Sequence, residues 1–228
     1  MPMNSGEFYR LMTWLSPSYP VGSFCYSHGL EYLVENGAVS DADSLVRWLN
    51  DILLLGSGRN DAILLAHAYD AVLQGNSAAL WDAADHAGAI ASGAERYRES
   101  NTQGRAFAEI TMATWGSPSL SEFCTSYPRT VAFPIAVGIA GADHGIALPL
   151  ILHAYIHAFT ANLVSAAVRL IPLGHTDGQR ALMLSESAVA AAVAQGESGD
   201  LSQLSNAAIL SDMASMLHET QNARLFRS

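Results

Sequence analysis

The sequence predicts an all-α fold, a single globular, bundle-like domain of about ten helices over residues 1–228. Half of the 228 residues are apolar, which is enough to bury a large core. Apolar residues recur at helical spacing, most clearly at Leu45, Trp48 and Ile52. Glycine and proline end such segments at short intervals, and we find no strand pattern, internal repeat or long linker.

Caps and breakers place the helices in order along the chain. The helix that contains Leu45 is predicted to end at Gly56 and Gly58. Further helical patterns lie at 60–74, 77–92, 107–115, 145–170, 176–195 and 209–217, with a polar stretch at 95–103. Thr176 and Gln179 have the spacing of a capping box that would start the 176–195 helix.

Composition excludes several classes of function. The net charge of −10 argues against nucleic acid, whose binding needs clustered basic residues. All 11 basic residues are arginines, which excludes a Walker A phosphate loop and a lysine Schiff base. Cys25 and Cys124 form no CxxC pair, so we expect no structural zinc site and no disulfide. With no visible signal peptide, the sequence indicates a cytoplasmic protein without a cofactor.

One stretch raises the question of a membrane. Residues 145–168 carry no formal charge over 24 positions, which is long enough to span a bilayer. However, Pro149, His153, His157 and Asn162 interrupt it with polar groups and a helix breaker. We therefore predict a core helix of a bundle, with a membrane span as the alternative.

The segment 17–31, PSYPVGSFCYSHGLE, is the clearest functional signature of the chain. Cys25 or Ser27 beside His28 could suggest a nucleophile and its base, but no Gly-x-Ser-x-Gly elbow or third catalytic member accompanies them. We predict that this segment binds a partner and that the protein is not an enzyme. An enzyme that uses one of these two nucleophiles with His28 remains the alternative.

Within the 17–31 segment, some side chains have a structural assignment. Ser27 is predicted to cap a helix that starts near His28, and Glu31 completes a capping box. This leaves Phe24 and Tyr26 as exposed aromatic residues available for a protein contact.

Two histidines and the end of the sequence supply further candidates. His153 and His157 lie four residues apart on the predicted core helix, so they share a face. We expect a core or cavity-lining pair, with a nickel-binding pair as the alternative. Residues 224–228, RLFRS, combine arginines with apolar side chains, a composition typical of partner anchors.

Three separated blocks together resemble one family, the urease accessory protein UreF. They are LSPSYPVGSFCYSHGLE at 15–31, SAAVRLIPLG at 165–174 with GQR at 178–180, and SD at 211–212 with HE at 218–219 and RLFRS at 224–228. They occur in the order of the family and span nearly the whole chain. Residues of the first block that match the family pattern are Pro20, Gly22, Phe24, Ser27, His28, Gly29 and Glu31. Arg169, Gly174 and Gln179 match at a helix junction, and Arg224 matches near the end.

This resemblance implies a fold and a function. Members of the family are all-α and dimeric, and they bridge a second accessory protein, UreD or UreH, and the GTPase UreG during GTP-dependent nickel insertion into apo-urease. From the resemblance and the composition we predict partner contacts by Phe24, Tyr26, His28, Arg224, Phe226 and Arg227. The alternative is a metallochaperone that binds nickel directly through His153 and His157.

Overall fold

The structure, a computed structural model, describes residues 5–198 and 200–228, and these residues contain no strand. The all-α prediction is confirmed. The described residues form twelve α-helices: α1 (Ser5–Trp14), α2 (Leu30–Glu35), α3 (Ala42–Leu55), α4 (Ser57–Leu73), α5 (Ser77–Ala89), α6 (Ala94–Thr114), α7 (Pro118–Ser126), α8 (Phe133–Asp143), α9 (Leu148–Leu170), α10 (His175–Leu184), α11 (Glu186–Glu197) and α12 (Ile209–His218). Short 3₁₀-helices lie at Ser23–Cys25 and Leu201–Gln203.

Helix α4 lies at the centre of the bundle and packs against α3, α5, α8, α9 and α11. Ten of its residues are buried, so it is covered on almost every side. Its closest neighbour is α8, where a Cβ at Gly138 would overlap the carbonyl oxygen of Leu65. The absence of a side chain at Gly138 therefore sets the separation of these two helices.

Three predicted helix boundaries need correction. Gly58 does not end α3, because α4 starts at Ser57 and includes it. Helix α10 is not capped by Thr176 and Gln179, because Asp177 accepts the hydrogen bond from the backbone N–H of Gly174 instead. The predicted 176–195 helix is broken at Ser185, whose buried hydroxyl donates to the carbonyl of Ala181.

The polar stretch at 95–103 is not a connection but the first half of α6, a helix of 21 residues. Glu95, Glu99 and Gln103 lie four residues apart along one face, and all three are buried. These polar side chains reach other polar groups in the interior, which makes a buried polar face compatible with a helix here.

Helix α9 is, among the described residues, the one helix long and apolar enough to cross a membrane, and half of its apolar window is buried against protein. A largely buried core helix passes the same test of length and hydropathy. Of the expected core or cavity-lining pair, the core position is wrong, because His153 and His157 are both exposed on this helix. His157 nevertheless borders a cavity beside α9.

Candidate functional site

The 17–31 segment folds into a compact irregular path between α1 and α2. A 3₁₀-helix at Ser23–Cys25 follows Gly22, and Gly22, His28 and Gly29 all have positive φ angles. At Gly29 the backbone of α12 approaches so closely that an added Cβ would lie 2.6 Å from the amide nitrogen of Ser215. Glycine at position 29 is therefore required both by the left-handed backbone and by the contact with α12.

Residues 224–228, here called the tail, lie directly against the 17–31 segment. The backbone N–H of Arg227 donates to the carbonyl of Cys25 at 2.8 Å. The backbone N–H and the hydroxyl of Ser27 both donate to the carbonyl oxygen of Ser228, at 2.7 and 2.5 Å. The fold therefore brings together two segments that lie about 200 positions apart in the sequence.

Glu31 is the main acceptor for the tail. Its Oε1 accepts from the N–H of Leu225 at 2.7 Å, and its Oε2 accepts from the N–H of Phe226 at 2.9 Å. The predicted capping box is wrong: α2 starts at Leu30, and Gly29 is its N-cap residue without a side-chain hydrogen bond. Ser27 and the Glu31 carboxylate bind the tail, and the Ser27 hydroxyl also accepts from the backbone N–H of Glu31 at 3.4 Å in the first turn of α2.

His218 connects α12 to this arrangement. It is fully buried between two carboxylates, with its Nδ1 2.8 Å from Glu95 Oε2 and its Nε2 3.1 Å from Glu31 Oε2. Glu95 also accepts a hydrogen bond from Arg224 at 2.7 Å. These four side chains hold α2, α6, α12 and the tail in one relative position.

Glu99, one turn farther along α6, binds the other end of the tail. Its Oε2 accepts from Arg96 at 2.5 Å and from the Ser228 hydroxyl at 2.8 Å, and its Oε1 lies 2.7 Å from His28 Nε2. Burial raises the pKa of this carboxyl, but Arg96 and His28 outweigh burial and lower the pKa to about 2. Glu99 is therefore ionised at neutral pH despite its burial.

His28 is neutral in this environment, because burial and then Arg96 lower its pKa more than Glu99 raises it. Its Nε2 lies 2.8 Å from Nη1 of Arg96, which donates, and 2.7 Å from Glu99 Oε1, which accepts, so the two contacts favour opposite ring tautomers. The ring packs edge-on against Phe159 of α9, with centroids 4.8 Å apart. Its Nδ1 is buried and has no hydrogen-bond partner among the described residues.

Arg169 at the end of α9 packs between two aromatic rings. Its guanidinium carbon lies 3.7 Å from the centroid of Phe24 and 4.4 Å from that of Phe226, and its Nη2 donates to the carbonyl of Phe24. A cation on aromatic faces in a partly buried site contributes roughly 0.5–2 kcal/mol. Arg169 thus joins the 17–31 segment to the tail. The sequence alone had placed this residue only at a helix junction.

The predicted partner residues divide into exposed and buried groups. Phe24 is 59% exposed, and Arg224 and Arg227 are also exposed. The expectation of an accessible Tyr26 is wrong, because this ring is 6% exposed, and His28 and Phe226 are buried as well at 4% and 3%. These side chains are covered because the tail and α9 close over the 17–31 segment, which sequence spacing could not show.

Helix α12 is oriented opposite to what its apolar periodicity indicates. Its small and polar side chains face the interior, including Ser211, Ala214 and Ser215. Its large apolar side chains face outward and, with Leu225 of the tail, form the surface that we call the α12 patch: Ile209, Leu210, Met213, Met216, Leu217 and Leu225, each at least 43% exposed. A contiguous exposed apolar surface is typical of an interaction site.

A second exposed apolar surface lies on α1. Phe8, Tyr9 and Met12, here called the α1 patch, are 51%, 66% and 61% exposed. Their helix is anchored by Trp14, which packs edge-on against Phe107 of α6 and against Trp115, the C-cap residue of that helix. The two patches therefore lie on elements that attach to opposite ends of α6, since α12 attaches at Glu95.

The described residues contain no group of three or more His, Cys, Asp or Glu side chains placed to hold a metal ion. His153 and His157 remain a pair of exposed imidazoles, and His153 Nδ1 is already 2.9 Å from the carbonyl of Pro149. A metal on this face would need further ligands from another molecule.

An all-helical scaffold, a tail fixed by buried ion pairs and two exposed apolar helix faces are typical of proteins that act through contacts with other proteins. Sequence comparisons agree with this class. The sequence model of the UreF family matches residues 39–186. The urease accessory protein UreF of Bradyrhizobium sp. (strain BTAi1 / ATCC BAA-1182) is 48% identical over 220 residues, covering 96% of this chain and 91% of that protein.

Two further relatives carry the same name. The urease accessory protein UreF of Rhodopseudomonas palustris (strain TIE-1) is 46% identical over 98% of this chain and 93% of its own length. That of Methylobacterium sp. (strain 4-46) is 45% identical over 96% of this chain and 87% of its own length. The chain belongs to the UreF family of urease accessory proteins, which implies a role in urease maturation.

Proposed function

We propose that this protein is a non-catalytic assembly factor that bridges UreD/UreH and the GTPase UreG during GTP-dependent nickel insertion into apo-urease. It works in the cytoplasm as a homodimer and carries no cofactor of its own. The observation that carries the proposal is the presence of two separate exposed apolar surfaces, the α12 patch and the α1 patch, on one rigid helical scaffold. A bridge needs two such surfaces far enough apart for two partners.

The length of α6 gives that distance. A helix of 21 residues is about 30 Å long at 1.5 Å per residue. The α12 patch is attached at its first turn through Glu95 and His218, and the α1 patch at its other end through Trp14, which packs against the C-cap residue Trp115. About 30 Å is the width of a small domain, so partners on the two patches can bind without competing for space.

Charge and composition support partner binding over catalysis. The chain has no lysine to place on nucleotide phosphates, so GTP hydrolysis in the assembly belongs to the GTPase. Cys25 and Ser27, the nucleophiles of the enzyme alternative, lie in the contact with the tail, where the Ser27 hydroxyl already donates to Ser228. An activated nucleophile would need that hydroxyl free and hydrogen-bonded to a base.

Copurification tests the proposal. Arg224→Ala removes the ion pair with Glu95 and loosens the tail, and we expect weaker capture of UreG from cells that express all urease accessory proteins, with an unchanged helical circular dichroism spectrum. Arg47→Ala, an exposed arginine on α3, is the matched control and should capture all partners normally. Undiminished capture of UreG by Arg224→Ala would contradict this role of the tail.

The metallochaperone alternative has its own test. The exposed, four-residue spacing of His153 and His157 would let both imidazoles reach one Ni²⁺ ion. Equilibrium dialysis compares nickel uptake by the wild type with His153→Ala/His157→Ala, and with His86→Ala/His175→Ala as the matched control. The bridging function predicts equal uptake by all three proteins, whereas a loss confined to the first variant supports direct nickel binding.

A further inference from the structure

A cavity of about 210 Å³ lies between the 17–31 segment, α6 and α9. It is larger than the engineered apolar cavity of about 150 Å³ that holds benzene in another protein. Its walls are aromatic and apolar, formed by residues that include Trp14, Phe133 and Phe159. The tail contacts described above do not fill it.

The polar end of this cavity has an excess of negative charge. Asp61, Glu99 and Arg96 line it, and Arg96 is already paired with Glu99. Because the remaining charge is that of Asp61, the charges at this end sum to about −1 when Asp61 is ionised. A cation that enters the cavity therefore meets a net attraction, which aromatic walls strengthen.

One hydrogen-bond acceptor and one unpartnered ring nitrogen lie there. Tyr155 donates to Asp61 Oδ2 at 2.8 Å, and no group within residues 5–198 and 200–228 donates to Oδ1. Asp61 is half-buried and lines the cavity. His28, which is 4% exposed, lines the same cavity, and its Nδ1 has no partner. A carboxylate oxygen without a donor in a partly enclosed cavity favours a ligand that donates to it.

We propose that this cavity binds a small organic cation of the amidinium or guanidinium class, whose N–H groups donate to the carboxylate of Asp61 while its plane packs against the aromatic walls. Such cations are flat, carry several N–H donors and stack on aromatic faces. A metal ion fits poorly, because the described residues bring together no third ligand. An anion would meet the net negative charge. The site is independent of the bridging function proposed above.

Isothermal titration calorimetry of the full chain at neutral pH tests the proposal with three probes of one shape. Benzamidinium is the cation, benzamide the neutral isostere and benzoate the anion. We expect benzamidinium to bind at least about tenfold more tightly than benzamide, a difference of about 1.4 kcal/mol, and benzoate to give no heat. Equal affinity for benzamidinium and benzamide, or no binding of benzamidinium at millimolar concentration, overturns the proposal.

Two variants locate the binding. Asp61→Asn keeps the shape and removes the charge, so benzamidinium should bind at least about tenfold more weakly while benzamide is unaffected. Asp51→Asn, an exposed aspartate on α3, is the matched control. Ala158→Phe fills the cavity from α9 and should abolish binding, a result that does not depend on the folding of the Asp61 variant. Unchanged benzamidinium affinity in either cavity variant overturns the assignment.

A fourth titration separates the two sources of such a cation. Nα-acetyl-arginine amide stands in for an arginine side chain of another protein. If it binds with the same dependence on Asp61, the site accepts a side chain of a partner. If benzamidinium alone binds, the site accepts a free small molecule, and the cationic chemistry holds in both cases.

Discussion

Glu31, Glu95 and Glu99 are buried carboxylates, and each is satisfied by donors from elements far away in sequence. Glu31 alone accepts from two tail amides and lies within hydrogen-bonding distance of His218. Burying a charge is costly unless it is paired, and removing one member of a buried pair leaves the other group unsatisfied. At the scale of single residues, the position of the tail therefore depends on a few charged side chains.

Glu31→Ala should release the tail. It leaves the N–H groups of Leu225 and Phe226 and the ring of His218 without an acceptor, so we expect the free energy of unfolding to fall by about 3 kcal/mol. Trypsin cleaves after arginine, and the Arg224–Leu225 bond should become much more susceptible. Mass spectrometry of limited digests and urea unfolding measure the two effects.

Glu122→Ala, at an exposed position on α7, is the matched control for that experiment and should change neither the digest nor the unfolding curve. Equal rates of cleavage at Arg224 in wild type and Glu31→Ala would show that other contacts hold the tail.

Asp61 predicts a pH dependence of stability with a defined sign. Burial raises its pKa from 3.8 to about 6, so the folded protein holds this proton more tightly than the unfolded chain. Stability therefore falls as the pH rises through the range between these two values, by about 3 kcal/mol in total. Asp61→Asn lacks this term, and its stability relative to wild type should increase by that amount from about pH 4 to pH 7.

Urea unfolding at several pH values measures this difference, with Asp51→Asn measured beside it. A stability difference between Asp61→Asn and wild type that stays constant with pH would contradict the raised pKa of Asp61.

Single residues also show what the sequence could and could not predict. Ser27, Glu31 and Arg224 were identified as important, but Ser27 and Glu31 were assigned to a local capping box. Their true partners are the tail residues, up to 201 positions away, and no local pattern encodes such a pairing. Glu95 and Glu99 were missed because charged side chains are usually exposed. The available signal was a polar stripe at intervals of four residues that includes Gln103.

At the scale of helices, sequence periodicity predicted where α12 lies but not which way it faces. The pattern of Ile209, Met213 and Met216 indicates one apolar face, which normally packs on the core. Here the opposite face is fixed to the interior by His218 and by the close approach of Gly29. In the isolated chain the buried ion pairs of the polar face outweigh the preference of the apolar face for burial. A partner that covers the exposed apolar face would bury it.

The contact between α4 and α8 predicts a large effect of one methyl group. Gly138→Ala places a Cβ against the backbone carbonyl of Leu65, which cannot move aside as a side chain could. We expect a loss of about 1–3 kcal/mol in the free energy of unfolding. Gly88→Ala on α5 is the matched control, since its Cβ would meet Tyr97 at an ordinary 3.6 Å.

Urea unfolding compares these two glycine variants. Gly88→Ala should be neutral or stabilising by up to about 1 kcal/mol, because alanine is the better helix former. Equal stability of the two variants would mean that α8 shifts freely on α4.

At the scale of the whole molecule, α6 determines how the two apolar patches are arranged. Its first turn carries the ion pairs to α12 and the tail, and Phe107 and the C-cap residue Trp115 carry the aromatic contacts to α1. The all-α class and most helix positions followed from periodicity and breakers. The separation of the patches could not be predicted in this way, because it depends on which helices contact the two ends of α6.

The two patches should act independently. Met213→Glu places a charge in the α12 patch and Met12→Glu places one in the α1 patch, and both positions are more than half exposed, so the fold should tolerate them. We expect each variant to lose a different accessory protein in copurification by more than about tenfold, equivalent to 1.4 kcal/mol. Loss of the same partner by both variants would contradict a bridge with two separate surfaces.

The pairing of the tail with the 17–31 segment also sets a time order during protein synthesis. Glu31 leaves the ribosome 195 residues before the Phe226 amide that it binds. At roughly 5–20 residues per second, about 10–40 s pass between the synthesis of this segment and that of the tail. Throughout that interval Glu31 lacks the donors that the tail supplies and Ser27 lacks its acceptor. The contacts that fix the position of α12 are also incomplete. The proposed binding surface is therefore incomplete until translation has passed the tail, and we expect only molecules that include the tail to bind partners.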